Sequence, residues 1–445
     1  MALFGTDGIR GRFGDFLNEE LAERVAFAAG QLIPAHSRVI VGRDTRSSGI
    51  FLERAIVSGF IKCGHEVTQV GVIPTPGLAY LALEPGVELA VMITASHNPA
   101  FDNGIKIFGH DGMKIPDSLE LEIESWVNST EEVPNTPTGL VIDDDEAIGR
   151  YARHLKESIK TPLTGMKIAI DCAHGSASAI APRLLEELGA EVHAMGNSPD
   201  GHNINDGVGS THLEAIIELV QKSGADLGIA HDGDADRALL VDRKGRIIDG
   251  DHILAILAIS MARSGELNSD TVVTTVMSNL GFHKAMSAAG ISVEVTAVGD
   301  RFVLERINER HLALGGEQSG HIIIRKLATT GDGILTALSI LALVASKSVS
   351  ASGLAEVFTS YPQVLVNVLV VSKTAALSDQ VILGAINDAE RELGSEGRLL
   401  VRASGTEDLV RVMAEADTIE RAQEAVDSLV ALIASRHGAS IQEPR

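Results

Sequence analysis

Four short stretches of this chain carry side chains that could do chemistry. The first is Thr94-Ala95-Ser96-His97-Asn98-Pro99. It follows the apolar run Val87–Ile93, which reads as a buried strand, and its Asn-Pro pair turns the chain out of regular structure. Ser96 is thereby placed on a loop just past a strand end, the edge where open α/β sheets hold ligands. An ordinary Ser/Asn turn is the competing reading. The second stretch is Asp232-Gly233-Asp234-Ala235-Asp236-Arg237, set between apolar strands at 227–230 and 238–241. Three carboxylates at alternate positions can converge on one hard cation, and magnesium takes oxygen ligands while leaving room for a phosphoryl oxygen. Their mutual repulsion argues against a purely structural loop. An EF-hand is excluded, because Arg237 and Arg243 stand where that loop needs its glycine and its bidentate glutamate.

The third stretch is Gly315-Gly316-Glu317-Gln318-Ser319-Gly320-His321, which gathers a carboxylate, a hydroxyl and an imidazole in one small loop. Those groups suit sugar hydroxyls, and His321 suits acid–base work near neutral pH. A plain hairpin between Leu312 and Ile322 is an equal alternative. The fourth is Arg402-Ala403-Ser404-Gly405-Thr406, with Arg411 on the strand behind it. Two arginines, two hydroxyls and a glycine backbone make a phosphate cradle with no lysine in it. The opening Gly5-Thr6-Asp7-Gly8-Ile9-Arg10-Gly11 presents Arg10 as a further anion contact, with a hairpin as the alternative. Walker A, the Rossmann glycine fingerprint, Gly-x-Ser-x-Gly and His-Glu-x-x-His are all absent from the sequence.

The elements that must position these groups follow from periodicity. Helical spacing at 19–33, with Asn18 as N-cap, precedes a strand at 38–42. A helix at 50–62, a strand at 66–70, a helix at 75–83 and the strand leading to Ser96 follow. This alternation reads as a parallel, helix-covered sheet. Residues 129–145 read as a surface excursion. The pattern restarts near Lys167 and again after Asp251, giving three α/β units of similar order. After Pro362 the order becomes βαββα, a smaller antiparallel α+β domain.

A chain of 445 residues should divide into roughly three or four domains. The formal net charge of -23 argues against nucleic acid and against an anionic membrane surface as partners. Cys63 and Cys172 lie in or beside apolar segments, as buried free thiols do. No signal-peptide core and no membrane-length apolar run is present, so a soluble cytoplasmic protein is expected.

Taken together and in this order, the motifs resemble the α-D-phosphohexomutase family over essentially the whole chain. The opening FGTDGIRG, the GGEQSGH loop, the VGDR at 298–301 and the RASGTED stretch resemble its amino-sugar branch rather than its phosphomannomutase/phosphoglucomutase branch. The resemblance implies an α/β chain: three successive mixed α/β sheet domains of similar topology plus the smaller C-terminal α+β domain, around a central active-site cleft. Its boundaries are expected at 1–150, 151–250, 251–362 and 363–445.

The implied reaction is reversible exchange of glucosamine 6-phosphate and glucosamine 1-phosphate, feeding UDP-N-acetylglucosamine and cell-envelope synthesis. It runs through phosphoserine at Ser96 and a 1,6-bisphosphate, with a hexosamine or hexose 1,6-bisphosphate as activator. Mg2+ is implied on Ser96, Asp232, Asp234 and Asp236. Arg10, His97 and Arg237 match positions around the phosphoserine, and Lys106 and His321 match acid–base positions. Lys106 needs a lowered pKa to act as a base, which neighbouring cations could supply. Glu317 and Ser319 match sugar-binding positions. Arg402, Ser404, Gly405, Thr406 and Arg411 match those holding the non-reacting phosphate. Family analogy suggests a homodimer.

Two positions depart from the family pattern. Ala235 stands where many members have glycine, which is harmless if its φ is negative. Asp408 stands where many have proline and weakens the cradle unless it points away or pairs with Arg411. A phosphomannomutase/phosphoglucomutase is the competing enzyme. A haloacid-dehalogenase-type phosphatase shares the Asp-x-Asp pattern and a piece resembling Gly331-Asp332-Gly333. A sugar-phosphate sensor is the non-enzymatic reading.

Overall fold

A computed structural model describes residues 3–5, 7–404, 408–438 and 441–442. Alternation along two central strands decides the first sheet. Val39, Val41, Leu89, Val91 and Ile93 face one apolar layer, while Ile40, Ala90 and Met92 face the other. Six strands take part: β1 (Ile9–Arg12), β2 (Arg38–Arg43), β3 (Glu66–Val72), β4 (Val87–Ile93), β5 (Asp102–Gly109) and β6 (Leu140–Asp143). Their order is β1-β5-β4-β2-β3-β6. Strands β2, β3, β4 and β6 are parallel, whereas β5 is antiparallel to β4 and β1 to β5. The parallel sheet expected from the helix–strand alternation is therefore corrected to a mixed one. The loop that carries Ser96 is too short for a crossover helix, so the chain must return antiparallel. The expected excursion at 129–145 contributes the exposed edge strand β6.

The second sheet has β7 (Lys167–Asp171), β8 (Glu191–Met195), β9 (Leu227–His231), β10 (Ala238–Asp242) and β11 (Ile247–Ile248), in the order β11-β10-β9-β7-β8. The third has β12 (Thr271–Thr275), β13 (Ser292–Thr296), β14 (Leu314–Gly316) and β15 (Ile322–Ile324), in the order β13-β12-β14-β15. Each repeats one theme, parallel strands passing into an antiparallel hairpin, β9 with β10 and β14 with β15.

The last sheet is antiparallel: β16 (Gln363–Leu369), β17 (Gly397–Ala403), β18 (Leu409–Ala416) and β19 (Ile441–Gln442), in the order β17-β18-β16-β19. Val426, Leu429 and Ile433 of the helix Ile419–His437 cover Val368, Val410 and Val412. The chain forms two compact units, Met1–Met277 with Ala289–Val357, and Ser278–Ala288 with Phe358–Arg445. The buried Glu415 ties the 278–288 segment into the second unit. Its carboxylate accepts from the Leu280 amide at 2.8 Å and from Arg398 Nε at 2.8 Å. Among the described residues no helix is long and apolar enough to cross a membrane.

Candidate active site

Ser96 follows β4, Asp44 and Arg46 follow β2, and Thr75 follows β3, so three parallel strands deliver their loops to one sheet edge. Ser96 is buried and adopts φ 51°, a left-handed conformation unusual for serine. Its amide donates to Thr94 Oγ1 at 2.9 Å. Its hydroxyl donates to Asp232 Oδ2 at 2.6 Å and lies 3.2 Å from His97 Nδ1. Gly233 explains how the two loops meet, since a side chain there would come within 2.7 Å of the Ser96 carbonyl oxygen.

The three aspartates follow β9 and place ligand atoms within 4.8 Å of one another, all buried. Thr75 Oγ1 donates to Asp234 Oδ2 at 2.6 Å and the Arg237 amide to Asp232 Oδ1 at 3.3 Å. Asp234 Oδ1 and Asp236 Oδ1 are buried without a hydrogen-bond partner among the described residues. Burial, then Asp236 and Asp234, push the Asp232 carboxyl well up; burial and Asp234 also raise Asp236. Crowded carboxylates with orphaned oxygens fit a hard, oxygen-loving cation, so the triad could hold a metal. Ala235 sits at φ 57°, so the condition of a negative φ, under which alanine is harmless here, is not met. Alanine holds here a conformation that glycine would take without strain.

Lys106, on β5, is 3.1 Å from Asp7, 3.2 Å from Asp234 and 3.5 Å from Asp236. Burial alone would lower its pKa, but Asp234, Asp7 and Asp236 outweigh burial and hold it above the usual lysine value. The expectation that cations bring Lys106 down is therefore reversed. Asp7 forms an ion pair with Arg10 as well. His97 is pushed down to about 4 by burial, with Arg237 and Arg10 adding to the effect, so it is neutral near pH 7.

Glu317, Ser319 and His321 sit in the turn between β14 and β15, which is indeed a hairpin. Glu317 Oε1 accepts from the Gly299 amide at 3.1 Å, and burial raises its carboxyl. Arg10 Nε, Arg237 Nε, Ser319 Oγ and His321 Nδ1 are buried and have no hydrogen-bond partner among the described residues. A cavity of about 320 Å³ is lined by Asp7, Thr75, Lys106, Asp236, Arg301 and His321, among others. Asp236 and His321, each with an unsatisfied buried polar atom, both line this cavity, as expected of a place built for a ligand.

In the second unit, Arg402 and Arg411 face each other directly across β17 and β18. Like charges in register repel, and Arg411 Nε is buried without a partner. Burial and then Arg411 lower Arg402. Ser404 is buried beside them. An anion would partner Arg411 Nε and offset the repulsion between the two arginines. Gly405 and Thr406 lie outside the described residues. Asp408 is exposed and makes no ion pair with Arg411 among the described residues.

Some site groups escaped sequence reading. Arg46 is fully buried and donates to the carbonyls of Ser96 (2.9 Å), Asn98 (2.8 Å), Asp102 (3.0 Å) and Pro99, while its Nε reaches Asp44 at 2.9 Å. Asn205 Nδ2 adds bonds to Ser96 O at 2.9 Å and Asn98 O at 3.0 Å. Asp44-Thr45-Arg46 directly after an apolar strand was the available signal. Lys373 Nζ donates to Ser404 O at 3.0 Å, which brings a lysine to a cradle expected to lack one.

Family models for the phosphoglucomutase/phosphomannomutase α/β/α domains I, II and III match residues 1–134, 149–245 and 249–361, and the model of the C-terminal domain matches 365–432. The chain is 48% identical over 442 residues to a phosphoglucosamine mutase from Rhodococcus erythropolis, covering 97% of this chain and 99% of that protein. A phosphoglucomutase/phosphomannomutase family protein from Burkholderia thailandensis superposes with a TM-score of 0.82 at 24% identity, over 98% of this chain and 99% of the other. N-acetylphosphoglucosamine mutase from Aspergillus fumigatus, solved in complex with GlcNAc-6P and magnesium, gives 0.70 at 19% identity over 97% and 95%.

Proposed function

We propose that this chain, which belongs to the α-D-phosphohexomutase family, interconverts glucosamine 6-phosphate and glucosamine 1-phosphate by way of a phosphoryl group carried on Ser96. The observation that carries the reading is the Ser96 hydroxyl, 2.6 Å from Asp232 in a loop of three buried carboxylates. Acyl transfer to a serine has no use for such a loop. Phosphoryl transfer does, because it is governed by positioning and charge neutralisation. The amino-sugar preference is supported by the relative at 48% identity.

In the forward direction a sugar hydroxyl oxygen bonds to phosphorus as the bond from phosphorus to Ser96 Oγ breaks, and the proton lost by the sugar hydroxyl is balanced by the one gained at Ser96 Oγ. The resulting bisphosphate turns over, and its other phosphoryl group returns to Ser96. Asp232, Asp234 and Asp236 would hold Mg2+, which when bound offsets charge on the transferring group. Arg10, His97 and Arg237 surround the serine, and Lys106 and His321 reach the reacting sugar oxygens. Glu317 and Ser319 take ring hydroxyls. Arg402, Ser404, Gly405, Thr406 and Arg411 take the phosphate that is not transferred. A hexosamine or hexose 1,6-bisphosphate would prime Ser96. A cytoplasmic setting and a homodimer complete the proposal, the latter checked by light scattering.

The test is a side-by-side assay of glucosamine, mannose and glucose 6-phosphates with Mg2+ and a trace of 1,6-bisphosphate. Glucosamine 6-phosphate should turn over fastest. Preference for mannose or glucose would assign the other branch, and release of inorganic phosphate alone would assign a phosphatase.

A further inference from the structure

The turn Gly331-Asp332-Gly333 has no part in the scheme above, yet it holds two groups of the site. The Gly331 amide donates to His321 Nε2 at 3.2 Å. A side chain at Gly331 would come within 2.3 Å of the His321 ring, so backbone and imidazole are in direct contact. Asp332 fixes the turn. Its carboxylate caps the helix Gly333–Ala345 through the Leu335 amide at 2.9 Å and accepts from the buried Tyr151 hydroxyl at 2.8 Å. The Gly333 amide donates at 3.0 Å to the carbonyl of Ala235, inside the carboxylate loop.

A ring nitrogen that accepts a hydrogen bond cannot carry a proton. Neutral His321 therefore bears its hydrogen on Nδ1. That atom is buried, has no hydrogen-bond partner among the described residues, and belongs to a ring lining the cavity shared with Lys106 and Asp236. An imidazolium would set Nε2–H against the Gly331 N–H. Locked in this way, the ring has no lone pair on its unpartnered nitrogen to take a proton, and loss of Nδ1–H would leave an imidazolate.

We propose that His321 acts as a neutral hydrogen-bond donor, through Nδ1–H, to an oxygen of the sugar phosphate. The Gly331 amide is the positioning group that sets its tautomer. No bond to hydrogen breaks at this residue. The hydrogen bond strengthens as charge gathers on the accepting oxygen during transfer, as a preorganised donor does. A neutral histidine polarising a substrate oxygen has precedent in unrelated isomerase chemistry. The inference rests on the phosphohexomutase reading of the site and departs from the acid–base role that the family resemblance implied.

Two measurements test it. In the first, protein labelled with nitrogen-15 histidine is examined by long-range proton–nitrogen correlation near neutral pH, with His321→Gln identifying the signals. Nδ1 should be protonated and Nε2 bare. Protonation of Nε2, alone or together with Nδ1, overturns the proposal. The second compares His321→Asn, whose amide nitrogen falls near the place of Nδ1, with His321→Gln, whose amide nitrogen falls near Nε2. His321→Asn should keep kcat within about tenfold of the parent, while His321→Gln should lose roughly 100- to 1000-fold, the usual cost of a deleted oxyanion donor. Equal loss in both variants points to a proton shuttle and overturns the proposal. A parent protein that turns over no sugar phosphate overturns the underlying reading as well, which separates the two failures.

Discussion

Arg46 Nη2 donates to the carbonyl oxygen of Ser96 at 2.9 Å, from a side chain with no exposed surface. The carbonyls of the serine loop are thereby turned inward onto a guanidinium, and the Ser96 hydroxyl faces Asp232 on the other side. Replacement by lysine keeps the charge and loses the fork that reaches several carbonyls. Arg46→Lys should lower kcat by roughly 100-fold with KM within about threefold, the scale of a small misplacement of a reacting group. Arg46→Ala would also strand the buried Asp44 carboxylate and cost about 3–5 kcal/mol of stability. A lysine variant with lowered melting temperature and unchanged kcat would reduce the clamp to a purely structural role.

The carboxylate loop should trade stability for metal binding. Asp236→Asn removes one repelling charge, so the metal-free protein should melt higher than the parent. The rise in melting temperature that Mg2+ gives the parent should be largely lost in the variant, and turnover with it. Thermal denaturation in chelator and in excess Mg2+ measures both. A variant that keeps the full Mg2+ shift would show that Asp236 is not a ligand.

Ala235 offers a check on backbone conformation. At φ 57° a β-branched side chain is strongly disfavoured, so Ala235→Val should cost about 2 kcal/mol or more. Ala235→Gly relieves the strain but gives up a buried methyl and adds chain entropy, and should change stability by less than about 1 kcal/mol. Chemical denaturation that found the two variants equal would contradict the left-handed conformation.

His231 gives a pH signature. Burial holds it at about 4 while its Nδ1 bonds the Arg237 carbonyl. The unfolded chain takes up a proton near the ordinary histidine pKa that the folded protein refuses. The stability this contributes is therefore complete above about pH 6.5 and is lost as pH falls toward 4, by roughly 3 kcal/mol over the window. Nearby raised aspartates act with the opposite sign, so the difference between the parent and His231→Asn, measured in chelator, isolates the histidine. Parallel curves for the two proteins between pH 6.5 and 4 would contradict a neutral buried His231.

The C-terminal arginines predict a binding effect without a folding cost. Arg411→Ala removes half of a repelling cross-strand pair, so stability should hold or rise. KM for the sugar phosphate should rise by roughly 10- to 100-fold, as expected for a lost charge-assisted contact. Unchanged KM would remove Arg411 from the substrate's path.

Much of this was legible in the sequence because charge and periodicity are local. The serine loop, the alternating aspartates and the paired arginines each lie in one short stretch after or on a strand, and apolar runs such as Val87–Ile93 could hardly be anything else. What was hidden depends on distant partners. β5 was missed because Asn103, Gly104 and Lys106 break its apolar pattern, yet its neighbours Ile105 and Ile107 are core residues. Lys106 was expected to be eased by cations, but the fold sets three carboxylates against it. Arg46 reads as a surface residue until its carbonyl partners are seen. The sign of φ at Ala235 is settled by the closure of the carboxylate loop and not by alanine itself.

The central claim is that Ser96 carries the phosphoryl group. The most direct measurement follows phosphorus NMR and intact mass together, for parent and Ser96→Ala, with Mg2+, glucosamine 6-phosphate and a trace of 1,6-bisphosphate. The account predicts a growing glucosamine 1-phosphate signal and one added phosphate on the parent protein, and neither in the variant. A Ser96→Ala protein that still forms the 1-phosphate at the parent's rate would contradict it.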